Sequence, residues 1–424
     1  MTARSFFTNL PAAHNQGRHP GLTSVCSAHP MVIGAALQEA AATRQPALIE
    51  ATCNQVNPDG GYTGMTPAAF RSYVLTIAAR LHFPPENLLF GGDHLGPNPW
   101  RKLPADVAMA KALTMTQAYA AAGFAKIHLD ASMACAGDPD PLPPEIIATR
   151  AALLAQSAES GAKSANHPPP AYIIGTEVPV PGGAHETLDT LHITTATDAA
   201  ATLALHQTAF AKLGLHDAYA RTIGLVVQPG VEFGHANVIP YQPAKAAALT
   251  TFRHGQPIVF EAHSTDYQTA AALTALVQGG FAVLKVGPGL TFALREALYG
   301  LDQIAAQLTD YPAAALPAAM ESLMLQNPAD WSAYYNGPDQ RQQRHFSYSD
   351  RIRYYWNRTD AQSATDRLFA ALKNRKIPET LLSQYLPRLY PAVLSGTLDS
   401  QAPALALAAI RLALAPYSTA CGAA

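Results

Sequence analysis

The sequence contains few charged residues and almost no charge imbalance. Asp, Glu, Lys and Arg make up 14% of the 424 residues, against about a quarter in an average soluble protein. The formal net charge is −2, and no long basic run interrupts the chain. A broad electrostatic surface for nucleic acid or for a membrane is therefore not expected.

Cysteines and long apolar runs are also scarce. The chain has four cysteines, and none of them forms a Cys-x-x-Cys pair, which argues against a zinc finger and a disulfide framework. No window approaches 18 uninterrupted apolar residues, and the first 19 residues lack the apolar stretch of a signal peptide. These absences favour a cytoplasmic protein without a membrane span. We interpret Cys26 and Cys53 as packing residues.

Two nucleotide-binding motifs are missing. The sequence has no Gly-x-Gly-x-x-Gly turn and no Gly-x-x-x-x-Gly-Lys-Ser/Thr loop, so neither a dinucleotide fold nor P-loop kinase chemistry is supported. What the sequence does have is 49% hydrophobic residues. That fraction is enough for a large core and excludes a disordered chain.

Short apolar runs alternate with segments of helical periodicity. This alternation predicts eight strands, at residues 22–27, 47–51, 87–92, 126–130, 172–177, 223–228, 257–261 and 281–286. It also predicts helices between them, such as those at residues 67–81, 106–122, 144–160 and 198–213. Eight βα units in this span favour an α/β fold of the TIM (β/α)8 barrel type. We expect an N-terminal segment at 1–20, the barrel at 21–310 and a helical C-terminal extension at 311–424.

Polar side chains gather where the predicted strands end. The catalytic residues of TIM barrels lie at the carboxyl ends of the strands, and five consecutive strands here end in His, Asp or Glu. A single histidine in such a loop is more often hydrogen-bonded than metal-bound, but the repetition predicts a divalent metal site. Lys285 on the eighth strand is compatible with a Schiff-base nucleophile, although a structural or sugar-binding role is favoured. The aromatic and basic stretch at 346–356 is expected to pack as a helix on the barrel.

Several long motifs resemble one known family. Gly91-Gly-Asp-His-Leu-Gly-Pro97, Gln228-Pro-Gly-Val-Glu-Phe233, Glu261-Ala-His-Ser-Thr-Asp-Tyr-Gln268 and Ser349-Asp-Arg-Ile-Arg-Tyr-Tyr-Trp356 resemble the Z-subunit family of D-tagatose-bisphosphate aldolase (GatZ/KbaZ type). The similarity extends from about Gly21 to Pro387. It implies one of two functions. One is a hexulose 4-epimerase that interconverts tagatose and fructose. The other is a non-catalytic subunit that supports a separate aldolase subunit in galactitol or N-acetylgalactosamine catabolism.

The chain is also similar, more distantly, to class II fructose-bisphosphate aldolases, and this implies site residues. Asp93 matches the aldolase acid/base and His94 a metal ligand, while Glu232 stands where the aldolases have a histidine, with His235 as a substitute. The implied ligands of one divalent ion (Zn, Mn, Ni or Co) are His94, Glu177, Glu232 and His263. The implied catalytic residues are Asp93, Glu177 and Glu232.

The phosphate-binding loops of those aldolases are not preserved. The seventh-strand loop reads Ser264-Thr265-Asp266-Tyr267 instead of a glycine-rich turn, and the eighth reads Gly287-Pro-Gly-Leu-Thr291. This departure suits an unphosphorylated ketose, or a degenerate aldolase, better than an active bisphosphate aldolase. Candidate partners of the sugar hydroxyls are Ser24, Asn54, Asp130, Gln228, Thr265, Tyr267 and Lys285.

The resemblance therefore leads us to expect a metal-dependent ketohexose 4-epimerase that works by retro-aldol cleavage and re-addition. A 3-epimerase with Glu177 and Glu232 as opposed bases stays open, and so does the supporting-subunit alternative. The expected small-molecule partner is tagatose, fructose or one of their phosphates. We also expect a homo-oligomer.

Overall fold

Eight parallel strands close into a barrel in the order in which they occur along the chain. The computed structural model describes residues 1–176 and 191–422. The barrel strands are Leu22–Cys26, Ala47–Thr52, Leu88–Leu95, Lys126–Leu129, Ala171–Ile174, Thr222–Val226, Val259–Ala262 and Val283–Val286. The first strand pairs with the eighth, which closes the barrel. The predicted eight-stranded TIM barrel is confirmed.

The third strand is longer than its pattern predicted. It was expected to end at residue 92 but extends to Leu95, and all of its residues are buried. Asp93 and His94 therefore belong to the strand itself, and the strand's register against the fourth strand shifts between Gly92 and Leu95. Two polar residues at the end of an apolar run concealed this continuation, because a strand buried on both faces is normally apolar throughout.

The helices around the barrel follow the predicted alternation. Up to residue 310 the α-helices are Ala3–Thr8, Leu10–Asn15, Pro30–Thr43, Pro67–Arg80, Ala105–Ala121, Pro144–Ser164, Ala196–Lys212, His216–Ala220, Ala247–Arg253, Ala270–Gln278 and Pro288–Leu308. Short 3-10 turns are found at Gly61–Thr63, Pro85–Asn87, Asn98–Trp100, Pro243–Ala246, Pro328–Asp330 and Arg351–Tyr355. A two-stranded antiparallel ribbon follows the sixth barrel strand, Glu232–Phe233 with Val238–Ile239.

The N-terminal segment closes the amino end of the barrel. Phe7 and Leu10 are fully buried and share a hydrophobic cluster with inward-facing strand residues such as Leu48, Leu89 and Val283. Burying such side chains stabilises the fold by about 2 kcal/mol each. The apolar plug at this end leaves the opposite, carboxyl end of the strands as the open mouth.

The C-terminal part packs on the barrel instead of projecting from it. Its α-helices are Ala315–Gln326, Gln340–Phe346, Thr359–Ala371, Glu379–Tyr385, Tyr390–Leu394 and Ala402–Ala420. The last of these lies against Pro30–Thr43, Ala270–Gln278 and Pro288–Leu308. By length and composition it could cross a membrane. In the molecule its residues Leu405, Ile410 and Leu414 are buried in the core that the barrel shares.

The stretch at 346–356 is not one helix, which corrects that expectation. The helix Gln340–Phe346 ends at the first residue of this stretch, and the 3-10 turn Arg351–Tyr355 follows a left-handed Asp350 with φ 45°. Tyr355 and Trp356 are buried, as predicted, whereas the Phe346 side chain is exposed. The break turns the chain toward the mouth of the barrel.

Candidate metal centre and active site

Three histidines and one aspartate meet at the mouth of the barrel. Asp93 and His94 come from the third strand, His128 from the fourth and His263 from the end of the seventh. Each offers a ligand atom, and these atoms all lie within 4.8 Å of one another. The ring centroids are 5.1 Å apart for His94 and His128, 4.9 Å for His94 and His263, and 5.3 Å for His128 and His263. All four residues are buried.

Carboxylates orient two of these imidazole rings. His94 Nδ1 lies 2.7 Å from Asp130 Oδ2, and His263 Nε2 lies 3.0 Å from Glu261 Oε1. In each ring the nitrogen beside the carboxylate is the hydrogen-bond donor, so a metal would bind through the other nitrogen. This carboxylate–histidine arrangement is the one that orients metal-bound imidazoles in proteins.

The residues present fit a divalent cation. His128 Nε2 is buried and has no hydrogen-bond partner among the described residues, which is costly for an imidazole nitrogen unless a ligand satisfies it. Three imidazoles and a carboxylate form a donor set suited to Zn, Mn, Co or Ni. The expected cofactor class therefore agrees with the side chains that the fold brings together.

The backbone around the cluster adopts an unusual conformation. His94 has φ 48° and Ser264, next to His263, has φ 52°, a left-handed region that non-glycine residues rarely occupy. Gly96 is required nearby, because a Cβ there would lie 1.5 Å from the Asp130 carbonyl oxygen. Such strain is typical of functional sites, where the surrounding structure holds it in place.

A buried network of charges supports the cluster from below. Lys126 Nζ lies 2.5 Å from Glu50 Oε1 and 2.7 Å from Glu261 Oε2, and all three side chains are fully buried. Lys285 Nζ contacts Glu50 and lies 2.8 Å from Asp93 Oδ1. Three carboxylates thus surround two ammonium groups, and this excess of negative charge favours a bound cation.

The charges in this network fix the protonation states. Burial would raise the pKa of Asp93, but His94, Lys285 and His128 outweigh it and hold the pKa well below its usual range. Burial would lower the pKa of Lys285, but Asp93, Cys26 and Glu50 raise it well above normal. A protonated Lys285 cannot attack a carbonyl, so the Schiff-base alternative is not supported. Burial lowers the pKa of His263 to about 4, which leaves its imidazole neutral and able to bind a metal.

A pocket opens to solvent beside the cluster, at the carboxyl end of the barrel strands. Asp93, His94 and His263 contribute to its lining together with residues from the barrel loops and the C-terminal part. The other lining residues include Cys26, Thr52, Asn54, Gln55, Tyr62, Phe233, Ser264, Asp266, Lys285, Gly287, Arg353 and Tyr354.

Only two of the four predicted metal ligands lie in the cluster that the structure describes. His94 and His263 lie in the cluster, but Glu232 does not belong to it. Its carboxylate accepts a hydrogen bond from the Phe233 amide, and burial raises its pKa to about 7. His235 is turned away, since its ring nitrogens contact the Ser347 and Ser349 hydroxyls and the Tyr334 carbonyl. Glu177 lies outside the described residues.

Only some of the predicted sugar-binding residues line the pocket. Asn54 and Lys285 line the pocket, whereas Asp130 stands behind His94, and Ser24 is fully buried beside Cys26. Three others hold the backbone. Gln228 accepts from the Gly230 and Val231 amides, Thr265 donates to the Lys285 carbonyl, and Tyr267 donates to the Tyr348 carbonyl.

Three site residues were missed or misjudged. Cys26, interpreted as a packing residue, lines the pocket with its Sγ 3.6 Å from Glu50 Oε2 and 3.7 Å from Asp93 Oδ2. His128 was not counted as a ligand, although its alternation with Lys126 marks both as inward-facing residues of one strand. Arg353 was assigned only to packing, and nothing in its local pattern indicated that its chain segment reaches the mouth.

Comparison with known proteins identifies the family. Residues 7–422 match the family model described as D-tagatose-1,6-bisphosphate aldolase subunit GatZ/KbaZ-like. The chain belongs to this GatZ/KbaZ-like family. One relative, the D-tagatose 6-phosphate 4-epimerase of Agrobacterium fabrum, is 54% identical over 426 residues, which cover 100% of this chain and 99% of the relative.

Two further similar proteins have different names. The D-tagatose-1,6-bisphosphate aldolase subunit GatZ of Klebsiella pneumoniae is 50% identical over 412 residues, covering 96% of this chain and 97% of the relative. A crystal structure of a probable tagatose 6 phosphate kinase from Sinorhizobium meliloti superposes with a TM-score of 0.87 at 53% identity, covering 94% of this chain and 100% of the other.

Proposed function

We propose that this chain catalyses the metal-dependent epimerisation of a ketohexose at C4, with D-tagatose 6-phosphate and D-fructose 6-phosphate as the interconverted pair. The observation that carries the proposal is the cluster of Asp93, His94, His128 and His263 at the carboxyl end of the barrel. Three of these residues, Asp93, His94 and His263, line one pocket. The name of the 54%-identical Agrobacterium relative supports both the reaction and the phosphorylated sugar.

His94, His128 and His263 would hold the ion, with Asp93 beside it. A divalent ion bound there would act as a Lewis acid on oxygens of the sugar's C2 and C3 groups. Asp130 and Glu261 keep two of the rings in position through their hydrogen bonds. Loss of either carboxylate would let its ring rotate, so both act as positioning residues.

The proton transfer is assigned to Asp93. Its depressed pKa keeps it ionised, and it lines the pocket beside the protonated Lys285. Asp93 accepts the proton of the C4 hydroxyl as the C3–C4 bond breaks. The electron pair of that bond stays on the C1–C3 fragment as an enediolate, and C4 becomes an aldehyde. The aldehyde turns its other face to C3, the bond re-forms, and Asp93 returns the proton to the new C4 hydroxyl.

The second candidate is a supporting subunit of a tagatose-bisphosphate aldolase. The observation in its favour is the name of the 50%-identical Klebsiella relative. This alternative requires no turnover by the isolated chain. The two candidates are therefore separated by one activity measurement on the purified protein.

The test uses the full chain alone. The protein is stripped with a chelator, reloaded separately with Mn, Ni, Co or Zn, and incubated with D-tagatose 6-phosphate labelled with ¹³C at C4. Carbon NMR should show D-fructose 6-phosphate only in the metal-loaded samples. No conversion with any of these metals, followed by recovery of a tagatose-bisphosphate aldolase as a stable complex with the chain, would replace the epimerase with the subunit.

A further inference from the structure

We propose that Arg353 binds the phosphate group of the substrate and makes the site specific for phosphorylated ketohexoses. This inference rests on the proposed function and concerns the same pocket. It assigns a recognition role to the C-terminal part, which supplies Arg353 to a pocket whose floor comes from the barrel.

Hydrogen bonds hold the Arg353 guanidinium in place, but some of its N–H donors have no acceptor among the described residues. Its Nη1 donates to the carbonyls of Ser349 and Asp350, and its Nη2 donates to the Tyr354 hydroxyl at 2.8 Å. A guanidinium has five N–H donors. Among the described residues, the Nε hydrogen and one Nη2 hydrogen therefore have no acceptor, and these two donors are available to phosphate oxygens.

The charge of Arg353 is also available. The other cationic side chain lining this pocket, Lys285, is paired with Glu50 and Asp93. Within residues 1–176 and 191–422, Arg353 is in no ion pair with a carboxylate, and its guanidinium stacks on the Tyr354 ring with the carbon 4.4 Å from the centroid. Asp350 and Asp266 interact with this charge only at longer range. A guanidinium without a direct carboxylate partner is a good receptor for an anion.

The segment that carries Arg353 is fastened to the barrel mouth. The Tyr348 amide donates to the His235 carbonyl at 2.9 Å, and Tyr267 donates to the Tyr348 carbonyl at 2.7 Å. The buried Asp350 carboxylate accepts from Thr291 at 2.6 Å. These bonds hold Asp350 in its left-handed conformation, and the following turn directs Arg353 into the pocket.

The usual phosphate position of a TIM barrel is already taken. In many such barrels a phosphate binds near the loops of the seventh and eighth strands at a helix N-terminus. Here Asp266 Oδ1 accepts from the Gly287 amide at 3.0 Å and from the Gly289 amide at 2.7 Å, at the start of Pro288–Leu308. The Asp266 carboxylate occupies these two amides, so a phosphate must be bound by a different group in the pocket. Arg353 lines the same pocket and supplies one.

The test compares two substrates in two variants and a control. For Arg353→Gln, the ratio of kcat/KM for D-tagatose 6-phosphate to that for D-tagatose should fall about ten- to a hundredfold, the loss typical of a charged hydrogen bond. Arg353→Lys keeps a cation and should recover part of the ratio. Arg358→Gln removes an exposed arginine five residues away and should leave the wild-type ratio.

A binding measurement keeps the test independent of turnover. Calorimetry on the chelator-treated chain should show weaker binding of D-tagatose 6-phosphate to Arg353→Gln than to the wild type, with the Arg358→Gln control unchanged. An unaltered substrate ratio and unaltered binding in Arg353→Gln would overturn the assignment. If the wild type epimerises neither sugar, the proposed function fails while the calorimetry still decides the role of Arg353.

Discussion

His94 and His263 each form a hydrogen bond from one ring nitrogen to a buried carboxylate. This bond leaves the other ring nitrogen as the one that can bind a metal. The Asp130 and Glu261 contacts select one tautomer per ring. His128 adds a third ring whose Nε2 lacks a partner within the described part of the chain. At the scale of single residues, hydrogen bonds to carboxylates orient the rings of the cluster before any ion binds.

The first prediction separates the ligand set of the structure from the set implied by sequence. His128→Ala should lower the affinity for Co²⁺ or Zn²⁺ by at least about tenfold, because it removes a direct ligand. Glu232→Gln should change the affinity little, since Glu232 lies outside the cluster. Metal content after dialysis measures both, with the exposed His254→Ala as control. Full metal retention in His128→Ala with loss in Glu232→Gln would favour the sequence-based set.

The second prediction concerns Asp93. Asp93→Asn should keep one equivalent of metal on the three imidazoles but lose about 10²- to 10⁴-fold in kcat, the usual contribution of a positioned acid/base. Elemental analysis and steady-state rates check the two parts, and Asp59→Asn, at an exposed surface pair with Lys111, is the matched control. Wild-type turnover in Asp93→Asn would remove Asp93 from the chemistry.

Sequence could predict Asp93, His94 and His263 as a group because they stand at the polar ends of apolar strands. The alternation of His128 with Lys126 places both side chains on one face of their strand, but only the closed barrel shows that this face points toward the ligand cluster. Glu232 looked equivalent to a ligand by position in its turn. Its backbone instead enters a short ribbon, and its carboxylate interacts with the Phe233 amide and with Ser264.

At the scale of elements, the strands were predictable, whereas the position of the last helix on the barrel was not. Fully buried parallel strands leave a strong apolar signal, so all eight were found with errors of a few residues at their ends. The position of Ala402–Ala420 in the outer ring depends on contacts with Pro30–Thr43, far away in sequence. No local pattern encodes such a contact. The same limitation concealed Arg353.

The third prediction tests how the strands support the site. Lys126→Met would leave Glu50 and Glu261 buried without the ammonium group between them. Breaking a buried ion pair in this way costs about 3–5 kcal/mol, so the thermal midpoint should fall by several degrees. Calorimetry measures it, with Lys111→Met at an exposed pair as the control, expected to cost less than about 1 kcal/mol. Equal midpoints for Lys126→Met and wild type would contradict the supporting role of the network.

At the scale of the whole molecule, both ends of the chain pack on the barrel. Residues near the N-terminus seal the amino end, while the C-terminal part covers the outer ring and contributes to the pocket. Global unfolding and loss of the pocket should therefore be coupled. The pH dependence of the thermal midpoint reports on buried titratable groups far from the site, and so on the stability of the fold.

The fourth prediction concerns acid sensitivity. Burial lowers the pKa of His206 to about 4, below its ordinary value of about 6.5. The unfolded chain binds this proton first as the pH falls, so the stabilisation is complete above about pH 6.5 and is lost between there and about pH 4. At most this is about 3 kcal/mol. His206→Gln should therefore lose less of its thermal midpoint than the wild type between pH 7 and pH 4.5.

The comparison is made between variant and wild type because other groups act in the opposite direction. Burial raises the pKa of Glu232 to about 7 and of Asp266 to about 6, so these carboxyls gain stability from protonation as the pH falls. The contributions of Glu232 and Asp266 are the same in His206→Gln and in the wild type, so they cancel when the two proteins are compared. An identical fall of the midpoint in His206→Gln and wild type would show that His206 does not contribute.

The central claim is that the histidine cluster holds one ion and that this ion is needed for turnover. The most direct measurement titrates the metal-free chain with Co²⁺ while visible absorption and conversion of D-tagatose 6-phosphate are followed in the same cuvette samples. Both signals should rise together and reach a plateau at one equivalent per chain, and His128→Ala should show neither at that ratio. Full conversion by the metal-free chain, or saturation of the absorption without any conversion, would contradict the account.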